Sequence, residues 1–457
     1  MYTRKDLSIA IIGSGIGGLT CALALAHAGF QRIHVFEAAP ELSFVGAGIQ
    51  LAPNMARVLD RLGVWDEAVK NAVPIDETHI RDGPSNTELT RVDNTSTKRL
   101  YGYAQMVAHR ADLIESLFSA CRAHGPAIQF HFGTSVEQIL SFGPAPKLRA
   151  VPLNGVPYHR QFDVIVGCDG IKSKTREQLL QHLNLSAAIE DTGYSAYRIV
   201  LPRSHFEHEP SLQHLITTPR AIRWTGPDRH IIAYPISAHT LYNIVAVQPD
   251  TTFASAPSAT YTTRGSKSAM LSVYADFDES IQRLLALLPD DDIVEWKLRV
   301  HAPLPTWTAG HVALLGDACH PTLPFLAQGA AQAVEDAAVL AVALAQALDA
   351  EPAAGVEHAL RAYERLRKPR AERLVEMAAE NGRVLHMAAG KEREERDRAF
   401  REAREGGAGG VPDKWVDRGV QDMVFAFDCV KDAMERGVGL AEERGVRVGG
   451  RPIAAGL

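Results

Sequence analysis

Leu7-Ser8-Ile9-Ala10-Ile11-Ile12-Gly13-Ser14-Gly15-Ile16-Gly17-Gly18 joins a short apolar run rich in isoleucine to a cluster of glycines. Beyond it the pattern changes: residues 16–28 are rich in Ala and Leu and stop at Gly29, and Ile33-His34-Val35-Phe36 closes on Glu37. An apolar run, a helix-forming segment ended by glycine and a second apolar run read as strand, helix, strand, and the helical connection makes the two strands parallel. The glycines match G-x-G-x-x-G at the strand-to-helix junction. There Gly13 serves the tight turn, Gly15 lets the backbone approach a pyrophosphate, and Gly18 lets the helix pack on the strand. The helix N-terminus adds free N–H groups and the positive end of its dipole. Glu37, at the end of the second strand, is placed to accept a ribose 2′-hydroxyl. The reading is a dinucleotide site, and the acid disfavours NADP as its ligand.

Working outward, residues 56–70 and 109–124 read as helices, and Phe162-Asp163-Val164-Ile165-Val166-Gly167 as a strand of a parallel sheet buried on both faces. Between residues 191 and 300 the texture becomes short alternating strands, at 194–201, 230–236 and 241–248, which predicts a largely antiparallel sheet. Val312-Ala313-Leu314-Leu315 returns as a buried strand and leads into an Ala-rich helix reaching about residue 349. The charge cluster at 391–398 and Gly406-Gly407-Ala408-Gly409-Gly410 read as a solvated helix face and a flexible connector with no chemistry. No internal repeat is visible.

Composition narrows the function classes. The chain of 457 residues carries 48 Lys+Arg against 54 Asp+Glu, a formal charge of -6, which argues against a nucleic-acid or anionic-membrane binder. Its length fits two or three domains, or one α/β domain with an inserted lobe. With 46% hydrophobic and 22% charged residues a sizeable core is expected. Cys21, Cys121, Cys168, Cys319 and Cys429 show no paired spacing, so neither a disulfide framework nor a cysteine zinc site is expected, and a reducing, cytoplasmic location is. The apolar stretch at 7–12 is too short for a signal peptide. The segment 327–348 is interrupted by Gln328, Gln332, Glu335, Asp336 and Gln346, which reads as a buried helix, not a membrane span. No clustered His/Asp/Glu set suggests a metal.

Two later motifs repeat the strand-end logic. Gly167-Cys168-Asp169-Gly170 follows one buried strand and Gly316-Asp317-Ala318-Cys319-His320-Pro321 another. A carboxylate at the end of a buried strand is costly unless a ligand or donor answers it, and ligands of open α/β sheets bind at those ends. Either Asp could instead cap the helix that follows. His320 reads as a packed, hydrogen-bonded residue and not as a base.

Taken in order, Gly13 to Gly18 with Glu37, Asp169-Gly170 and Gly316-Asp317 resemble the FAD-dependent aromatic hydroxylases, the single-component class A flavoprotein monooxygenases, nearest their salicylate and hydroxybenzoate hydroxylase branch. Residues 316–337 are especially close to the family, and the resemblance covers about residues 5–385. It implies an α/β fold with a Rossmann-like FAD-binding domain of the glutathione-reductase type, formed by residues 1–75, 105–185 and 300–385. A β-rich substrate domain, residues 76–104 and 186–299, would be inserted in it, and 386–457 would form a C-terminal helical extension.

The same resemblance assigns roles. Glu37 would hold the adenosine ribose of FAD, Asp317 its ribityl chain, and Asp169 would serve both FAD and the nicotinamide cofactor. Gly46-Ala47-Gly48-Ile49 would run alongside the flavin, Arg110 would open a helix and reach the cofactor, and Gly329 and Ala330 would begin the helix facing the flavin N1–C2=O end. Gly46 and Gly48 could equally mark a turn, and Arg110 a surface ion pair. NADH or NADPH would reduce FAD, and O2 would add to give a flavin C4a-hydroperoxide that oxygenates a small aromatic ring. Arg198 and Tyr234, on strands of the middle sheet, are the candidates for binding and deprotonating a phenolic substrate. Their ordinary alternatives are an outer-face cation and a core tyrosine. Pro324 and Phe325 would wall the substrate pocket. Bacterial salicylate hydroxylases carry a His after that Pro, so Phe325 puts salicylate itself in doubt. The competing reading is a flavoprotein reductase of the same fold without oxygen insertion. A halogenase is disfavoured by the absence of W-x-W-x-I-P. A scaffold would need no flavin, and a colourless protein that takes up no FAD would favour it. Monomer and homodimer both stay open.

Overall fold

The computed structural model describes residues 3–42, 47–251, 262–289, 293–350, 355–406 and 410–442. Ser8–Ile12 lies inside a six-stranded sheet between Val164–Gly167 and Arg32–Phe36, with Val312–Leu314 and Ile128–His131 outside these. These five strands pair in parallel, and Thr308–Ala309 closes one edge antiparallel. Every residue of Ser8–Ile12 and of Val164–Gly167 is buried, as befits parallel strands covered on both faces. The Asp-Gly and Gly-Asp motifs therefore sit at the carboxyl ends of two strands beside the glycine loop. Helices Ile16–His27 and Gly329–Ala350 pack into the same core.

The expected helix at 56–70 is two helices, Pro53–Arg61 and Trp65–Ala68. Between them Gly63 sits at φ +68°, the left-handed conformation that ends a helix. Its proline lies in the first turn, where the missing N–H costs nothing.

The middle region forms an eight-stranded sheet in the order Thr262–Arg264, Val294–His301, Ile189–Pro202, Leu241–Pro249, Arg229–Ile236, Arg220–Gly226, Glu77–Asp82, Glu88–Asp93. It is antiparallel except where Arg220–Gly226 pairs in parallel with Glu77–Asp82. One face carries Tyr197, Ile199, Ile222, Trp224, Ile231, Tyr242 and Ile244 in an apolar cluster with the helices Lys267–Val273 and Glu279–Ala286. Because side chains alternate along a strand, the residues between these face the other way, toward the parallel sheet.

Two expectations about the C-terminal part divide. Gly329–Asp349 is long and apolar enough to cross a membrane by length and composition, yet 89% of its most apolar window is buried in the fold, as read from its polar interruptions. The charged helix at 391–398, however, is more than a solvated face, and the extension beyond it also enters the core. Lys391–Arg404 buries Arg396 and Phe400, and Trp415, Val416, Val424 and Phe425 join a core cluster with Ile80, Tyr101 and Tyr234. The reason is its amphipathic spacing, which a cluster of charges on the outer face masks. Residues 407–409 of the glycine connector lie outside the described residues. All five cysteines are free thiols.

Candidate active site

The glycine loop is tight for reasons that differ at each position. Gly13 has φ +103°, and a Cβ there would lie 2.5 Å from the Cys168 carbonyl oxygen, in the second motif. A Cβ on Gly18 would lie 2.0 Å from the Gly13 carbonyl oxygen. At Gly15 it would meet nothing within 4 Å, and this glycine lines a cavity of about 330 Å³. Gly13 and Gly18 thus shape the loop from behind, while Gly15 presents backbone to open space.

Glu37 and Asp169 stand outside the cavity lining. Glu37 accepts hydrogen bonds from the Ser14 N–H at 3.0 Å, the Ser14 hydroxyl at 2.7 Å and the Ala39 N–H at 2.9 Å. Asp169 accepts from the Ser173 hydroxyl at 2.5 Å and from the Thr175 N–H and hydroxyl at 3.0 Å each, which braces the turn into the helix Lys174–His182. Its neighbours Cys168 and Gly170 line the cavity instead.

Asp317 is exposed and lines the cavity, with Gly329 and Ala330 at the start of the long helix. Arg110 also lines it, as the first residue of the helix Arg110–Ala123, whose N-cap His109 accepts from the Ala111 N–H. Burial lowers the Arg110 pKa, and Asp317 opposes that pull. Gly48 belongs to the strand Gly48–Leu51. Its N–H donates to Asn243 Oδ1 at 2.7 Å, and a Cβ there would come within 2.7 Å of the Tyr234 ring, so this glycine admits Tyr234 to the site. Gly46 lies outside the described residues.

Arg198 and Tyr234 both line the cavity. The Arg198 guanidinium carbon stands 4.9 Å over the Trp296 ring. Burial lowers its pKa, Arg110 lowers it further, and Tyr234 and Asp317 oppose this. Burial also pushes the Tyr234 hydroxyl well up, with Arg198 pulling the other way. Phe325 is buried against His230 and His386, ring centroids 5.5 and 5.1 Å away, and Pro324 adjoins it at the cavity edge.

Several lining residues escaped the sequence reading: Gln50, Arg223, His230 and Ile232. His230 Nδ1 and His386 Nε2 share a hydrogen bond at 2.7 Å. Burial holds both rings neutral, driving His386 down to about 3. The alternation in Ala221-Ile222-Arg223-Trp224-Thr225 was a usable strand signal; nothing local pointed to His386.

Cys319, His320 and Asp336 bring ligand atoms within 4.8 Å of one another, a cluster the sequence spacing hid. Asp336 is already engaged: it accepts from His320 at 2.6 Å, the Gly316 N–H at 3.1 Å and Arg367 Nε at 2.7 Å. Burial also raises the Cys319 thiol well above its ordinary pKa. These groups form a buried ion-pair lattice, with His320 packed and hydrogen-bonded as expected.

The profile of the FAD binding domain matches residues 6–378. The FAD-dependent monooxygenase OpS4 of Beauveria bassiana is 32% identical over 401 residues, covering 87% of this chain and 90% of its own. The 3-hydroxybenzoate 6-hydroxylase of Klebsiella oxytoca is 32% identical over 395 residues, covering 86% and 92%. A salicylate hydroxylase solved as a substrate complex shares the fold, with a TM-score of 0.74 at 24% identity over 94% of this chain and 98% of that one. With the profile spanning most of its length and relatives aligned nearly end to end, the chain belongs to the FAD-dependent aromatic hydroxylases, the class A flavoprotein monooxygenases of the hydroxybenzoate hydroxylase type.

Proposed function

We propose that this protein hydroxylates a small phenolic or aromatic acid, with NADH or NADPH as reductant and O2 as oxygen donor. The observation that carries the reading is one cavity lined both by Gly15, Asp317 and Gly329 and by Arg198, Tyr234 and Phe325. A dinucleotide and an aromatic ring would meet there.

The residues present fit FAD. Gly15 leaves room for a pyrophosphate, Glu37 keeps lone pairs for the adenosine ribose beside the loop it braces, and exposed Asp317 suits the ribityl hydroxyls. The N-terminus of Gly329–Ala350 offers backbone N–H groups to the pyrimidine end of the ring, and Arg110 adds positive charge. When bound, FAD supplies the electron transfer and oxygen activation that side chains lack.

The protein's own work is on the substrate. Arg198 forms no ion pair among the described residues, so its charge is available to a phenolate and favours ionisation of the phenol. Buried Tyr234 stays protonated near neutral pH and acts as a hydrogen-bond donor to the same oxygen. Ile232, Val245, Val247 and Phe325 keep water from the ring.

A panel of phenols and aromatic acids tests this, following NAD(P)H oxidation, hydroxylated product and peroxide separately. Substrate-stimulated oxidation coupled to hydroxylated product is expected. Oxidation with no oxygen insertion for any substrate would favour the reductase reading. In Arg198→Ala, kcat/KM for a phenol should fall roughly 10- to 150-fold, the worth of a charge-assisted hydrogen bond. Flavin content should be retained, and unchanged substrate dependence would exclude the anion-binding role.

A further inference from the structure

Arg198, Val245, Ile232 and Arg223 are successive cross-strand partners in the middle sheet. They form one row on the face that lines the cavity. Two cations thus bound an apolar floor of Val245 and Ile232, separated along the row by three strand spacings, about 14 Å between Cα atoms. All four residues line the cavity, and the row is long enough for an aromatic ring to lie between the two cations.

The two cations are not equivalent. Arg198 rests on the Trp296 ring, and no carboxylate pairs with it among the described residues. Arg223 is 2% exposed and ion-pairs with Asp413, which is fully buried in the C-terminal segment. Asp413 is itself held by the Asn381 side-chain amide at 2.9 Å and the Trp415 N–H at 3.0 Å. The Trp415 ring stacks on Arg223 at 4.6 Å, and its indole N–H donates to Gln50 Oε1 at 3.0 Å. Arg223 Nε is buried and has no hydrogen-bond partner among the described residues. This end therefore has a cavity-lining guanidinium engaged by Asp413 through Nη1 and carries no net charge, since Asp413 cancels the guanidinium and the adjoining His230–His386 pair is neutral.

We propose that the C-terminal segment, through Asp413, makes the Arg223 end of the pocket a subsite for an uncharged oxygen acceptor. The substrate class is then an aromatic ring bringing at most one negative charge, received by Arg198, and a carbonyl, amide or undissociated hydroxyl oxygen received by Arg223. A second carboxylate at Arg223 would share one guanidinium with Asp413, and two like charges in that dry space repel. The inference rests on the hydroxylase reading above and narrows its substrate.

Two ring probes test it whichever way round they bind: isophthalate, with a carboxylate at both ends, and 3-carbamoylbenzoate, with one carboxylate and one amide. Calorimetric titration of the FAD-loaded protein should give about tenfold or greater preference for the monoamide. Asp413→Asn frees the Arg223 charge and should reduce that preference about tenfold. The double variant Arg223→Gln/Asp413→Asn, which removes both charges together and leaves no buried ion unpaired, should keep it. If Asp413→Asn does not fold, the wild type and the double variant still decide. A diacid bound as tightly as the monoamide in the wild type, or a preference unchanged in folded Asp413→Asn, overturns the subsite. Failure of both probes to bind, while a phenol is hydroxylated, overturns the subsite and leaves the hydroxylase reading standing. Failure of the phenol panel as well removes both.

Discussion

Gly18→Ala is expected to leave a protein that does not retain flavin and is less stable by about 3 kcal/mol or more, the upper range for overpacking a rigid site. The new Cβ would sit 2.0 Å from the Gly13 carbonyl oxygen and 3.1 Å from its carbon, both backbone atoms that no rotamer change can move. Alanine gains about 1 kcal/mol of helix propensity over glycine, which is too little to offset the clash. The helix must lift from the first strand, and the loop holding Ser14 against Glu37 moves with it. Gly15→Ala is the control, since its Cβ meets nothing within 4 Å. That variant should melt like the wild type and lose flavin affinity alone. Melting temperature and flavin per polypeptide report both, and a Gly18→Ala protein with wild-type values of each would refute the close-approach account.

Arg367→Met should cost roughly 3–5 kcal/mol, the usual penalty for removing one partner of a buried ion pair. Arg367 is 1% exposed and reaches Glu335 Oε2 and Asp336 Oδ1, each at 2.7 Å, and Gln332 Oε1 at 2.6 Å. Arg370 still covers Glu335 at 2.9 Å, but Asp336 would keep only His320 and the Gly316 N–H. Because that N–H belongs to the Gly316–Ala318 turn carrying Asp317, flavin affinity should fall with stability. The pH dependence has a definite sign. Burial alone raises the pKa of both carboxyls, but it is outweighed, by Arg370 and Arg367 at Glu335 and by His320 and Arg367 at Asp336, so both lie below their ordinary values. Groups depressed on folding contribute stability above the unfolded pKa, about 4, and lose it as pH falls through the folded values. The wild type should therefore lose stability on acidification below about pH 4. Arg367→Met should lose less, and the two melting curves should converge there. Curves that stay parallel down to acid unfolding would show that Arg367 does not set the carboxyl pKa values.

The parts of this protein visible in its sequence are those that local chemistry dictates. Residues 7–18 read as a strand turning into a helix because an aliphatic run meets clustered glycines, and the structure adds which backbone atoms a Cβ on Gly13 or Gly18 would strike and that one on Gly15 would strike none. The Gly-Asp motif placed Asp317 at the cavity by the same strand-end logic. Asp169 lies at an equivalent strand end, yet the hydroxyl at Ser173 and the hydroxyl and N–H at Thr175 turn its carboxylate away, a choice that depends on how the next turn folds. Alternation showed only that Arg198 and Tyr234 lie on strands of the middle sheet; the family resemblance singled them out, and the structure lines the cavity with both.

Tertiary structure alone decided the rest of the pocket. Arg223 becomes a lining residue only when its strand pairs with Arg229–Ile236 and with Glu77–Asp82, far back in the chain. Asp413 reaches it across 190 residues, from the C-terminal extension just past the glycine run that reads as a flexible connector. A glycine loop advertises itself because backbone geometry restricts residue type at adjacent positions. A buried ion pair between distant segments imposes no such local rule: each charge looks like surface until folding removes the water from both.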